Sequence, residues 1–189
     1  MFAKRIIGAQ PVSTHTAHVP AEAVTPHVSR ICAPYKPIVE INADYSRLPI
    51  DAGFNWTDAF AEIECGEWYL VVFRSQHRTD ADHAHLTWLD ERASRAASQH
   101  PGFLYYFIGT PRADGCCLSF CLWHSRQDAV AAAADPEHQE AMVKGLPFFE
   151  HYQLERYRVL KRAGQFSILP WRQPTPAASA IAPVAPVPA

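Results

Sequence analysis

The segment EWYLVVFRS, Glu67 to Ser75, constrains the fold more than any other stretch of the chain. Its β-branched and aromatic residues favour a strand. Alternation puts Trp68, Leu70 and Val72 on one face and Tyr69, Val71 and Phe73 on the other. A strand apolar on both faces must be covered twice, so one layer of helices cannot complete the fold.

The pattern on either side of this strand changes period several times. From Asp80 to His100, Ala81, Ala84, Leu89, Ala93, Ala96 and Ala97 recur near helical spacing, and Asp90, Glu91, Arg92 and Arg95 supply the wet side. HPG at 100–102 ends that helix. FLYYFIG and CCLSFCLW, joined by the turn residues of TPRADG, read as a hairpin. Ser125 stands where an N-cap belongs, with Asp128 three residues on, and opens a second helix. Asp135-Pro136 kinks or breaks it, because Pro136 cannot donate to the preceding turn yet suits a first helical position with Asp135 as a new cap. YQLERYRVLK, Tyr152 to Lys161, alternates as a fourth strand.

The order βαββαβ predicts an α+β domain, the ferredoxin-like split βαβ arrangement, with an antiparallel sheet and both helices on one face. The other face is left to the N-terminal arm or to a second copy, and the expectation is a sheet-to-sheet homodimer. Residues 1–53, with prolines at 11, 20, 26, 34, 37 and 49, read as an extended arm outside the core. Residues 54–164 read as the domain, and 165–189 as a disordered Pro/Ala-rich tail.

Composition narrows the partners. A formal charge of −2 with no dense cluster of Lys and Arg argues against nucleic acid. No apolar run approaches the roughly 20 residues that span a bilayer, so no membrane is expected. Five cysteines, an odd number, point to a reducing compartment and hence the cytoplasm. The mitochondrial matrix is the alternative, since residues 1–21 hold no acid and carry Lys4, Arg5, Ser13, Thr14 and Thr16.

Several short runs together resemble a known superfamily. WYLVVFRS, PGF at 101–103, LW.S..DA at Leu122 to Ala129, PEH..A at Pro136 to Ala141 and the closing FFEHYQLERYRV look like the dimeric α/β-barrel proteins, and within them the antibiotic biosynthesis monooxygenase (ABM)-like subgroup. The resemblance covers about residues 66–162. It implies a dimeric α/β barrel with a small-molecule cavity between sheet and helices. The function it implies is a cofactor-independent monooxygenase acting on an aromatic or polyketide-like substrate. The competing expectation is a non-catalytic barrel protein with a filled core, a binding or stress-associated module. Ala129, Ala132 and Ala133 under the second helix fit either close packing or a cavity.

Trp123 matches the tryptophan with which some ABM-like oxygenases hold an aromatic substrate, and it is also a natural core tryptophan. His138 suits a general base near neutral pH, or only a local hydrogen bond at a helix start. A histidine at a similar place binds haem in haem-degrading relatives, but those also need an inward asparagine on the first strand, and Glu67 to Ser75 has none. Arg74 suits the stabilisation of a developing anion, or a strand-end salt bridge. With Trp123, His138 and Arg74 as the catalytic candidates, Tyr69, Phe149 and Tyr152 complete the expected substrate site beside Trp123. The directions of Tyr69, Tyr105, Tyr106, Tyr152 and Tyr157 are left open. The remaining histidines and the cysteines assemble no metal site by spacing, and Cys117 and Cys121 read as buried thiols.

Overall fold

A computed structural model describes residues 36–172. The elements run α1 (Trp56–Ala59), β1 (Gly66–His77), α2 (His83–Ser98), β2 (Phe103–Phe107), β3 (Cys116–Trp123), α3 (Arg126–Ala133), α4 (Pro136–Gly145), β4 (Phe149–Arg162) and β5 (Gln165–Pro170), with a 3-10 turn at Leu146–Phe148 before β4. The caps are those the sequence announces. Ser125 accepts from the amide of Asp128 at 3.2 Å, and Asp135 accepts from Glu137 at 2.8 Å. Asp135-Pro136 is therefore a break between two helices rather than a bend within one.

The strands form one antiparallel sheet in the order β2-β3-β1-β4-β5. The first four make the expected ferredoxin-like arrangement, with β1 and β3 central. β5 lies in the segment read as tail. A two-residue turn at Ala163 and Gly164, both with positive φ (48° and 78°), folds it back along β4. That backbone matches the twist of a hairpin. The rest of the expected tail, and the first 35 residues of the arm, lie outside the described residues.

The arm is the larger departure. Ile38, Ile50, Phe54, Trp56 and Phe60 are buried, and they pack on Trp68, Leu70, Val72, Leu118 and Phe120, one whole face of the sheet. Polar contacts fix this layer. The Trp56 indole donates to the Ile50 carbonyl at 2.7 Å, and the Tyr105 hydroxyl donates to the Ile38 carbonyl at 2.9 Å. Arg112 bridges to Asp44 at 2.7 Å. Ile38 and Ile50 thus belong to the core, against the expectation that residues 1–53 stay outside it, and Phe54, Trp56 and Phe60 from the start of the expected domain complete the layer. They also bear on the expectation of a sheet-to-sheet homodimer. That rested on an uncovered apolar face, and within the described residues one chain already covers it. Proline spacing hid this role, because irregular chain without a period can still deliver isolated aromatic residues to a core.

Candidate functional site

The two faces of the sheet are closed to different degrees. Under the arm, Trp68, Leu70, Val72, Leu118, Phe120 and Leu122 are at most 2% exposed. Under the helices, Val71, Phe73, Tyr106, Tyr152 and Leu154 are only half-buried, although α2, α3 and α4 lie over them. A close-packed layer would leave no such area. The helix side of the sheet is therefore less completely covered than the centre of the arm side.

Register places the candidate residues on the two faces. Tyr69 lies opposite Trp123 across β1 and β3, so both are on the helix face at one end. Trp123 is 3% exposed, its indole N–H lies 2.9 Å from the Cys121 Sγ, and its ring meets Phe103 and His100 edge-on at 5.4 and 5.9 Å. Trp171, from the segment read as tail, closes this end with its ring edge-on to Tyr69 at 5.2 Å.

Tyr152 lies opposite Ser75 at the far end, with Phe149 beside it at 5.3 Å. Tyr69 and Ser75 are six residues apart on β1, which is about 20 Å at ~3.3 Å per residue. The four expected substrate-binding residues thus form two pairs at opposite ends of the helix face. Burial pushes the Tyr152 hydroxyl well above its ordinary ionisation range.

Arg74 belongs to neither pair. Its place on β1 turns it to the arm face, where the guanidinium donates to Glu155 at 2.9 Å and to the carbonyls of Ser46 and Leu48 at 2.7 and 2.8 Å. It fastens the arm to the sheet and is withdrawn as an anion-stabilising residue of the helix face. His138 is the third residue of α4, and its backbone amide is held by Asp135 at 3.4 Å. Its Nδ1 is buried with no hydrogen-bond partner, and burial lowers the imidazole pKa, so the ring is neutral at neutral pH. Trp123, His138 and Arg74 do not assemble around one point.

Between the two aromatic pairs lies a group the sequence reading assigned to solvent. Asp90, in the middle of α2, faces the sheet, and the Tyr106 hydroxyl from β2 donates to its Oδ1 at 2.5 Å. Burial raises the Asp90 carboxyl from 3.8 to about 6, the Tyr106 bond and the Glu91 charge being lesser influences. The thiols of Cys117 and Cys121 on the sheet below are pushed up to about 12, again by burial. Spacing held the clue to Asp90, since Leu86, Asp90, Ala93 and Ala97 fall on one helical face.

Elsewhere, a groove of about 580 Å³ runs beside the β4–β5 turn, lined by Thr57, Ile63, Glu64 and Lys161 among others. It lies on the arm side, away from the candidate residues. No group of three or more His, Cys, Asp or Glu could hold a metal ion among the described residues, and none of their helices is long and apolar enough to cross a membrane.

No curated protein matches the sequence. Among solved structures, the chain is similar to a proposed antibiotic biosynthesis monooxygenase from Nitrosomonas europaea, at 14% identity over 47% of this chain and 95% of that one, with a TM-score of 0.42. It is similar to a hydroxynitrile lyase from Passiflora edulis, at 17% identity over 49% of this chain and 93% of that one, with a TM-score of 0.40. It is also similar to a single-residue mutant of SnoaB, a cofactor-independent oxygenase from Streptomyces nogalater, at 16% identity over 59% and 98% of the two chains, with a TM-score of 0.39. The match to a family is far wider: it runs over residues 11–170, taking in the arm, the sheet with β5 and the helix layer together, and by it the chain belongs to the PB2B2.08-like family.

Proposed function

We propose that the cleft between sheet and helices binds an aromatic small molecule, and that the protein is a cofactor-independent monooxygenase acting on it. The observation that carries this reading is the contrast between the two faces. The central residues of the arm face are fully buried, whereas the helix face keeps accessible area around Phe73, Tyr106 and Tyr152. These rings, two of them with hydroxyls at their ends, suit a flat and partly polar ligand.

The chemistry asked of such a site is modest. An electron-rich hydroxylated ring supplies the electrons itself. One oxygen atom of O2 enters a ring C–H to give a quinone, the other leaves as water, and the protein holds the ring and takes up the hydroxyl proton.

A second reading, a non-catalytic binding module, draws on the Trp123 end. There both ring edges and the indole N–H are engaged by protein. Oxygen uptake with a panel of hydroxylated naphthalenes and anthrones, alongside equilibrium dialysis, separates the two. Uptake that drops in Tyr152→Phe supports the oxygenase, and binding without uptake supports the module. A wild-type protein that binds none of the panel overturns both.

A further inference from the structure

Asp90 is the one carboxylate that the helix layer turns toward the sheet at its centre, and its surroundings are unusual for a charge. No Lys or Arg pairs with it, and Tyr106 Oη on Oδ1 is its single hydrogen bond among the described residues. A carboxylate in such a setting is costly unless its remaining lone pairs find donors. Oδ2 has none from the described residues.

The groups that face Asp90 are Tyr106 from β2, Cys117 and Cys121 from β3 and Tyr152 from β4, with Glu91 next to it on α2. Burial pushes the ionisation of all four sheet groups far upward, so near neutral pH they stay uncharged. Asp90 is thus an acceptor set among neutral side chains, with Oδ2 left unbonded by the described residues beside the half-buried Tyr106 and Tyr152. A ligand anion there would face its charge without any compensating cation. A neutral hydroxyl would satisfy it.

On the reading of the cleft given above, we infer that Oδ2 of Asp90 accepts the hydroxyl of a neutral phenol or enol, selects that class over aromatic carboxylates, and is the base that takes its proton. In the transfer the substrate O–H bond breaks and a carboxyl O–H bond forms on Asp90. The electron pair stays on the substrate oxygen. Tyr106 positions the carboxylate through Oδ1 and does not touch the substrate.

Equilibrium dialysis of the full chain with 2-naphthol, naphthalene and 2-naphthoate at neutral pH tests this, with melting curves to establish that each variant is folded. The wild type should bind 2-naphthol at least about tenfold tighter than naphthalene, the worth of one hydrogen bond to a charged acceptor, and 2-naphthoate weakest. Asp90→Asn should lose that preference and gain affinity for 2-naphthoate, because an amide turns N–H donors to the ligand. Asp90→Glu should retain a preference for the hydroxyl. If the wild type binds the three probes alike, or Asp90→Asn keeps the hydroxyl preference, the inference falls while the cleft stands as a ligand site. If none of the three binds, the cleft reading falls and the inference with it.

Discussion

Replacing Asp90 with Asn should make the protein more stable at neutral pH, and the gain can be worked from the carboxyl itself. Burial raises its folded pKa to about 6 from 3.8. Between those values the folded chain holds a proton that the unfolded chain has already shed. Stability therefore falls as pH rises through that window and stays reduced above it. A displacement of about two units at ~1.36 kcal/mol each sets the cost of the charge near 3 kcal/mol, as an upper figure for a group beside an open cleft. Asparagine keeps the shape and can still accept from Tyr106, so Asp90→Asn should recover about 2 to 3 kcal/mol at about pH 7.5. At about pH 4, where Asp90 is protonated in the folded state, it should recover little. Urea unfolding of both proteins at the two pH values reads the difference. In a thermal scan it corresponds to about 4 to 10 °C. An equal effect at both pH values, or a variant less stable near pH 7.5, would show that the charge is not buried as described.

Two further substitutions probe the arm and the hairpin. Arg74→Met leaves Glu155 without its guanidinium and the carbonyls of Ser46 and Leu48 without their donor. It should cost about 2 kcal/mol in urea unfolding and speed limited proteolysis of the arm, while 2-naphthol binding stays as in the wild type. A binding defect in a folded Arg74→Met protein would return Arg74 to the ligand site. Ala163 holds φ 48° in the β4–β5 turn, a region unfavourable to any side chain, so Ala163→Gly should add about 0.5 kcal/mol. A loss on chemical denaturation would show that the turn carries no strain.

Much of the sheet could be read in advance because strand period and capping are local. Ser125, Asp128 and Asp135-Pro136 fix where α3 and α4 begin without reference to anything distant. The two apolar faces of β1 likewise announced that two covers were needed. What filled the second place was not local. Phe54, Trp56 and Phe60 sit in a stretch whose only regular helix is four residues long, and their burial depends on the sheet they land on rather than on any period of their own. β5 was hidden differently: Gln165 to Pro170 precedes a Pro/Ala run, and the composition of the whole segment outweighed the strand character of QFSILP. Of the two roles open to Arg74, the structure follows the salt bridge, to Glu155, and alternation along β1 already set it on the same face as Val72.

Asp90 shows the same conflict between residue type and position, with a more useful outcome. Sorting α2 by polarity put it with Glu91, Arg92 and Arg95 in solvent. Sorting by position puts it four residues after Leu86 and three and seven before Ala93 and Ala97, on the stripe that meets the sheet. The structure follows position. A helix docked by its small and apolar residues carries along whatever stands on the same face, and the cost of an ionisable group there falls on the whole fold. Local consistency would replace such a residue with Asn or Leu, and that trade of stability for a specific group is what binding and catalytic sites impose. Trp123, which looked the more functional of the two in the sequence, meets no such conflict. A buried tryptophan at the end of an apolar strand agrees with every level of the fold, so packing suffices to account for it. Asp90 is the residue whose position needs a reason beyond folding.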